Sequence, residues 1–329
     1  MNVGIVGAGN ISATHARAAE AAGLVVVAVF GENRSRTRAL AERHRATPYD
    51  SIDALLGDRA IDLVLIGSPS GCHADQAAAA IRAQRHVLVE KPLDISIRRI
   101  DTLLDEVRRA GVMLGVFFQD RLKPDVIALK QSIDAGVIGT PVLATGEVKW
   151  SRSAAYYSES KWRGTWALDG GGALMNQGIH TVDLMLYLLG PVVRVSGSIA
   201  TRAHAIEAED TAVAALEFAS GVLGTVVATT AAHDGQPRRL EIIGRAGSLV
   251  LEGDRMVTTV GDAASVASES ATSAVVSDVA AHQRIIEDFV GAIRHGRPPV
   301  CDGNEARRSV AVVEAVYRSA RERITVDLR

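Results

Sequence analysis

The segment from Asp169 to Asp183, DGGGALMNQGIHTVD, concentrates chemistry-bearing side chains behind three consecutive glycines. At about 100° per residue, Asn176, His180, Asp183 and Tyr187 fall on one narrow helical face, while Leu174, Met175, Ile179, Val182, Met185, Leu186 and Leu189 cover the other. The polar face offers an amide, an imidazole, a carboxylate and a phenol, and none of the Lys, Arg or Glu from which solvated faces are usually built. An imidazole can take or give a proton near neutral pH, so a functional stripe is one reading. A solvated face, or polar groups satisfied inside a core, are the others.

The elements that must carry this stripe change character along the chain. Up to about Phe118, short apolar runs at 3–6, 24–29, 61–66, 86–89 and 112–116 alternate with amphipathic helices at 35–45, 73–83 and 97–110. Continuous apolar strands separated by helices imply an α/β, doubly wound parallel sheet covered on both faces. After a helix over 124–135, strands are expected at 141–149, 192–202, 210–218, 222–230, 238–243 and 248–251, with no helices between most of them. That pattern implies a second α/β domain with a large, mainly antiparallel sheet, and the glycine-led helix lies between its first two strands. Residues 263–277, rich in Ala, Ser and Thr, are expected to form an exposed loop, followed by helices over 279–294 and 305–323. The expected domains are 1–120 and 121–329.

At 329 residues the chain is long enough for two cores, and 47% hydrophobic content supplies both. A net charge of −2 argues against a nucleic-acid or anionic-membrane surface and favours a small neutral or anionic ligand. Cys72 and Cys301 are far apart and form no CxxC pattern, so neither a disulfide framework nor a metal site is expected. There is no secretory signal pattern and no apolar run long enough to span a membrane, which makes a cytoplasmic location the expectation.

The opening GIVGAGNIS places Gly7 and Gly9 between a strand and a helix begun by Asn10 and Ile11. Glycines there allow a tight turn and let backbone amides approach a pyrophosphate stabilised by the helix N-terminus. Ser12 replaces the third glycine of the fingerprint. Where an NAD site usually places an acidic residue at the end of the second strand, this chain has Gly31, then Glu32-Asn33-Arg34-Ser35-Arg36. A glycine removes repulsion of a 2′-phosphate and Arg34 or Arg36 could pair with it, which leans the cofactor from NAD(H) toward NADP(H). Glu32 could still serve NAD by a one-residue shift, and the arginines could be plain helix-surface residues.

Further motifs lie just beyond strand ends: Ser68-Pro69-Ser70 with His73, and Glu90-Lys91-Pro92 after HVLV. Together with GIVGAGNIS and GGGALMNQGIHTVD, these resemble the glucose–fructose oxidoreductase, inositol dehydrogenase and MocA (Gfo/Idh/MocA) family, and the resemblance spans nearly the whole chain. It implies an N-terminal Rossmann domain that binds NAD(P)(H) and a C-terminal α/β domain for substrate and oligomerisation. Lys91 then matches a lysine that contacts nicotinamide and substrate, and His180 the catalytic histidine. Many members have Asp where this chain has Asn176, and an asparagine orients a hydroxyl without accepting a proton, so proton transfer falls on His180 and Lys91. A strand-end lysine reaching into water is the ordinary alternative for Lys91.

The residues expected at the cofactor are thus Gly7, Gly9, Asn10, Ile11, Gly31, Glu32, Arg34, Ser68, Pro69, His73, Glu90, Lys91 and Gln119. The aromatic stretch YYSESKWRGTW adds Trp162 and Arg163 as a clasp on the dinucleotide, and Tyr157 to the substrate wall; a hydrophobic latch over the core is the alternative. Arg121, in FFQDRLKP, is either a substrate contact or a salt-bridge partner. The implied activity is hydride transfer between nicotinamide and a carbinol or carbonyl of a sugar, sugar derivative or cyclitol. An NAD-dependent glycosidase of the same fold and a non-catalytic nucleotide or sugar sensor are the competing readings. An unprotected sheet face implies a homodimer or homotetramer.

Overall fold

The computed structural model describes residues 1–260, 263–266 and 278–328. The chain forms two compact units, Met1–Gln119 with Ala274–Arg307, and Asp120–Ser273 with Arg308–Arg329.

In the first unit the order is β1 (Asn2–Val6), α1 (Asn10–Ala21), β2 (Val25–Phe30), α2 (Arg34–His44), β3 (Thr47–Tyr49), α3 (Ile52–Gly57), β4 (Leu63–Ile66), α4 (His73–Arg82), β5 (His86–Val89), α5 (Ile97–Ala110) and β6 (Leu114–Val116). The strands form one parallel sheet in the order β3-β2-β1-β4-β5-β6. Its central strands are apolar without alternation because both faces are covered: Val3, Ile5, Val6, Leu63 to Ile66 and Val87 to Val89 are all buried. Local signals set the helix ends. Asn33 caps α2 by accepting from the Arg36 amide, and α5 stops at Gly111 with φ 69°.

The expected single break at residue 120 is corrected by the chain's return. Helix α9 (Val279–His295) and the start of α10 (Gly303–Glu322) belong to the first unit. Helix α9 packs there through Phe289, whose ring fills the space beside Gly115 of β6, and Gln283, whose Nε2 donates to Ala21 O at 3.2 Å. The apolar face of α9, with Ile285, Ile286, Phe289 and Val290, is buried in doing so.

The second unit contains α6 (Pro124–Asp134), β7 (Pro141–Lys149), α7 (Ala154–Ser158), α8 (Ile179–Leu189), β8 (Val192–Ala200), β9 (Thr211–Phe218), β10 (Leu223–Thr229), β11 (Arg239–Gly244), β12 (Gly247–Glu252), β13 (Arg255–Val260), β14 (Ala263–Val266) and β15 (Val326–Asp327). They form a nine-stranded sheet ordered β14-β13-β12-β11-β7-β10-β9-β8-β15. Its neighbours are antiparallel except β10 with β7. Burial alternates as an amphipathic sheet requires, with Ala212, Ala214, Leu216 and Phe218 buried along β9, while Leu143, Val213 and Leu223 are exposed. Two expectations are revised here. Residues 263–266 of the expected loop pair with β13 as β14, and 267–277 lie outside the described residues. The glycine-led helix is not uniform: Ala173–Gly178 is a π-helical turn that passes into α8.

Candidate active site

In the first unit the strand ends carry the nucleotide motifs. Gly7 has φ 115°, and a Cβ there would lie 2.6 Å from Gly67 O, so only glycine fits. Gly9 precedes α1 with open space where a Cβ would go, and exposed Asn10 and half-buried Ile11 begin the helix. A Cβ at Gly31 would come within 2.9 Å of Ala8 Cβ, so an acidic residue at this position would force the Gly7–Gly9 turn to shift. Glu32 and Arg34 are exposed, and Arg34 pairs with exposed Asp50 at 3.7 Å.

The Glu90-Lys91-Pro92 turn is anchored from inside. Glu90 Oε2 accepts from the Lys91 amide at 3.0 Å, while Oε1 lies 3.0 Å from His15 Nε2 and 3.5 Å from His282 Nε2. Burial by itself would raise the Glu90 pKa, but the hydrogen bonds and charge of His15 and His282 outweigh it and hold the carboxyl well below its usual range. Glu90 is therefore a buried brace for Lys91. The spacing of the trio, within 4.8 Å, would also admit a cation. A ligating His15 would leave its Nδ1 proton buried without an acceptor, so the hydrogen-bonded arrangement fits better. His282 was invisible to sequence reading because it reaches Glu90 from α9.

His73, expected at the cofactor, is a second internal brace and is 1% exposed. Its Nδ1 lies 2.7 Å from Pro92 O and its Nε2 2.9 Å from Ser68 O, tying the two strand-end turns together. Ser68 and Pro69 are half-buried, with Ser68 Oγ donating to Gln76 Oε1 at 2.6 Å. Gln119 is buried, and its side-chain carbonyl has no hydrogen-bond partner.

In the second unit the polar stripe divides. The π-helical turn is opened by the glycines, where a Cβ on Gly172 would sit 1.8 Å from Glu209 O. Glu209 accepts from the Gly172 and Leu174 amides at 2.9 and 2.8 Å and from Tyr317 Oη at 2.8 Å, and burial pushes its pKa up to about 7. Between Gly170 and Leu186 only Asn176 is more than slightly exposed, which rules out the solvated-face reading. Asn176 Nδ2 donates to buried Asp169 Oδ1 at 2.7 Å, and its oxygen accepts from Gln177 Nε2 at 3.2 Å.

Asp183 and Tyr187 are structural. Arg121, 1% exposed, grips Asp183 with Nε and Nη2 at 2.9 and 2.7 Å, and Ser309 Oγ donates to the same carboxylate at 3.1 Å. The Arg121 guanidinium also stacks 4.9 Å above the Tyr187 ring. Arg121 is thus a buried salt-bridge partner of Asp183, one of the two roles expected of it.

His180 is 4% exposed and its Nδ1 lies 3.9 Å from Asp120 Oδ2. Asp120 in turn bonds Arg238 and lies 2.8 Å from Lys123 Nζ. Sequence reading missed Asp120, Lys123 and Arg238, since no local pattern links them to residue 180.

The aromatic stretch also sorts into two groups. Tyr157 is buried, hydrogen-bonded to Thr230 Oγ1 at 2.8 Å, with its pKa pushed to about 12 by burial. Neighbouring Tyr156 instead joins the Asn176 network, accepting from Gln177 Nε2 at 3.0 Å through Oη. Arg163 stacks on Tyr156 at 4.3 Å and Trp162 at 5.5 Å, so the half-buried Trp-Arg pair forms one stacked unit on α7.

Comparison with known proteins identifies the family. Residues 1–118 match the oxidoreductase family model with an NAD-binding Rossmann fold, and residues 126–250 match the GFO/IDH/MocA C-terminal domain. The WlbA dehydrogenase from Bordetella pertussis, solved in complex with NADH and UDP-GlcNAcA, is similar with a TM-score of 0.90 and 31% identity, covering 100% of this chain and 98% of that one. Myo-inositol 2-dehydrogenase of Thermotoga maritima is 25% identical, covering 100% of this chain and 98% of its own. The scyllo-inositol 2-dehydrogenase (NAD(+)) of Bacillus subtilis is 27% identical over 87% of this chain and 82% of its own. With both domain models matched in order, the chain belongs to the Gfo/Idh/MocA family of oxidoreductases.

Proposed function

We propose that this protein is an NAD(P)-dependent dehydrogenase or reductase that moves a hydride between nicotinamide and a carbinol or carbonyl carbon of a sugar, sugar derivative or cyclitol. The observation that carries this reading is His180, a buried imidazole held beside a carboxylate in a family whose matched relatives are named dehydrogenases. The residues at the nucleotide motifs fit a dinucleotide: Gly7 permits the tight turn, and Gly9 leaves room at the N-terminus of α1. When bound, nicotinamide supplies the hydride acceptor or donor.

The chain's own residues then handle charge and protons. His180 takes the hydroxyl proton as the carbinol is oxidised and returns it in the reverse direction. The Lys91 ammonium steadies the developing negative charge on oxygen, and Asn176 orients the hydroxyl. Asparagine suits position 176 because a carboxylate there would face Asp169 across the 2.7 Å now spanned by a hydrogen bond. Trp162 and Arg163 supply a stacked clasp for the dinucleotide.

For the cofactor's ribose end we favour NADP(H) over NAD(H). Gly31 presents no carboxylate, and the exposed Arg34–Asp50 pair is weak enough for Arg34 to re-pair with a 2′-phosphate. Among the described residues no helix is long and apolar enough to cross a membrane, and a cytoplasmic location fits that. Exposed Leu143, Val213 and Leu223 lie on the sheet face opposite α8 and favour pairing of two copies through that face.

Three measurements test these readings. A spectrophotometric screen of sugars and polyols with NAD and NADP in both directions is expected to give steady nicotinamide turnover. In that assay His180→Ala lowers turnover roughly 10² to 10⁴-fold and leaves cofactor affinity nearly intact; near-normal turnover in the variant removes the proposed base. In a fluorescence titration NADPH binds tighter than NADH, and Arg34→Ala costs NADPH about 1.5 to 3 kcal/mol; tighter NADH binding by the unaltered protein contradicts the assignment. Light scattering at micromolar concentration yields a dimer or tetramer, whereas a monomer ends the pairing proposal.

A further inference from the structure

The charged groups packed around α8 exceed what the proposed chemistry uses. Asp120 sits in the turn before α6, 3% exposed, with Oδ2 3.9 Å from His180 Nδ1. Two cations hold it from the other sides: Arg238, 7% exposed on the approach to β11, hydrogen-bonds the carboxylate, and Lys123 Nζ lies 2.8 Å from Oδ1. Asp254, in the turn between β12 and β13, contacts Lys123 Nζ at 2.7 Å and Arg238 Nη2 at 3.5 Å, balancing their second charge. On α8 itself, Asp183 is neutralised by Arg121. Asn176, one turn earlier, carries no charge. Among these groups Asp120 is the carboxylate at ion-pair distance from the imidazole.

We propose that Asp120 is the counter-charge of His180, a positioning residue whose carboxylate favours the imidazolium formed when the substrate's hydroxyl proton is taken up. It does from the turn before α6 what Asn176, an amide, cannot do from the helix. The proposal rests on the assignment of His180 as the base. Arg238 and Lys123 give the carboxylate a fixed place. Burial alone would raise the Asp120 pKa, but Arg238, His180 and Lys123 outweigh it and hold the carboxyl far below its ordinary range, so Asp120 stays ionised and is not itself a proton acceptor. The 3.9 Å separation makes the interaction one of charge with charge. The same two cations oppose the protonation of His180, so the resting field on the imidazole is a balance that either sign of substitution can tip.

That balance gives a test with opposite signs. Histidine side-chain 15N titration of the full chain, with no substrate added, reads the His180 midpoint directly once its signals are identified by their loss in His180→Gln. Asp120→Asn lowers the midpoint by about one pH unit, because an imidazolium loses a favourable neighbour. Arg238→Gln, which removes a cation facing the same carboxylate, raises it by a similar amount. Loss of packing alone has no reason to move the two variants in opposite directions. Midpoints that stay put, or that move the same way in both, overturn the proposal. If Asp120→Asn does not fold, Arg238→Gln decides the matter, with Lys123→Gln as a second variant that raises the midpoint. Since no turnover is measured, failure here is distinct from failure of His180 as the base, which shows only as retained activity in His180→Ala.

Discussion

Two adjacent residues of opposite charge, Asp120 and Arg121, meet two residues one helical turn apart on α8, His180 and Asp183, and the placement of α8 depends on that crossed pairing. The Arg121–Asp183 arm is the strong one, bidentate, 1% exposed on both sides, with Ser309 of α10 as a third contact. Removing one partner would leave an uncompensated buried charge, a loss on the order of 3 to 5 kcal/mol. The pair need not add net stability over apolar residues to be useful, since its geometry fixes how α8 is rotated about its axis. With that rotation fixed, His180 faces Asp120, and the weaker arm at 3.9 Å can act on protonation rather than on folding.

The architecture supports the same end from two directions. Small residues let the π-helical turn and α8 lie close to the sheet: a Cβ on Gly146 of β7 would sit 2.6 Å from Thr181 Cγ2, and one on Gly178 would sit 3.1 Å from Ala228 Cβ. Glu209 and Tyr317 satisfy the amides at the start of the π turn, where no preceding helical turn exists to receive them. In the first unit, Glu90 plays the comparable part for Lys91, held by His15, which stacks on Phe117 at 4.3 Å, and by His282. In both units the residue proposed for chemistry, Lys91 or His180, stands beside a buried carboxylate.

Much of this was legible in the sequence because it depends on local pattern. Continuous apolar runs marked the parallel strands, the glycine turn followed from residue type and spacing, and the polar stripe that holds His180 followed from helical periodicity, while the Glu90-Lys91-Pro92 turn stood out through the family resemblance. What depended on distant partners was not legible. Asp183 and His180 share a stripe, and only the folded chain shows that Arg121 consumes one of them. Adjacent Tyr156 and Tyr157 have opposite fates because the short helix α7 points one phenol at Gln177 and the other at Thr230. The return of α9 to the first unit was hidden because an amphipathic helix does not declare which core it covers. Three-residue β3, containing Pro48, and β14, within an Ala- and Ser-rich stretch, lacked the alternation that marks a strand.

If His180 is the base, α8 must present it to the reacting hydroxyl. A crystal structure of the protein with NAD(P)H and a polyol that turns over in the assay tests it most directly. The carbinol oxygen is expected within about 2.6 to 3.2 Å of a His180 ring nitrogen, with Arg121 still locked on Asp183. A carbinol oxygen held by other groups, with His180 beyond hydrogen-bond reach, would contradict it.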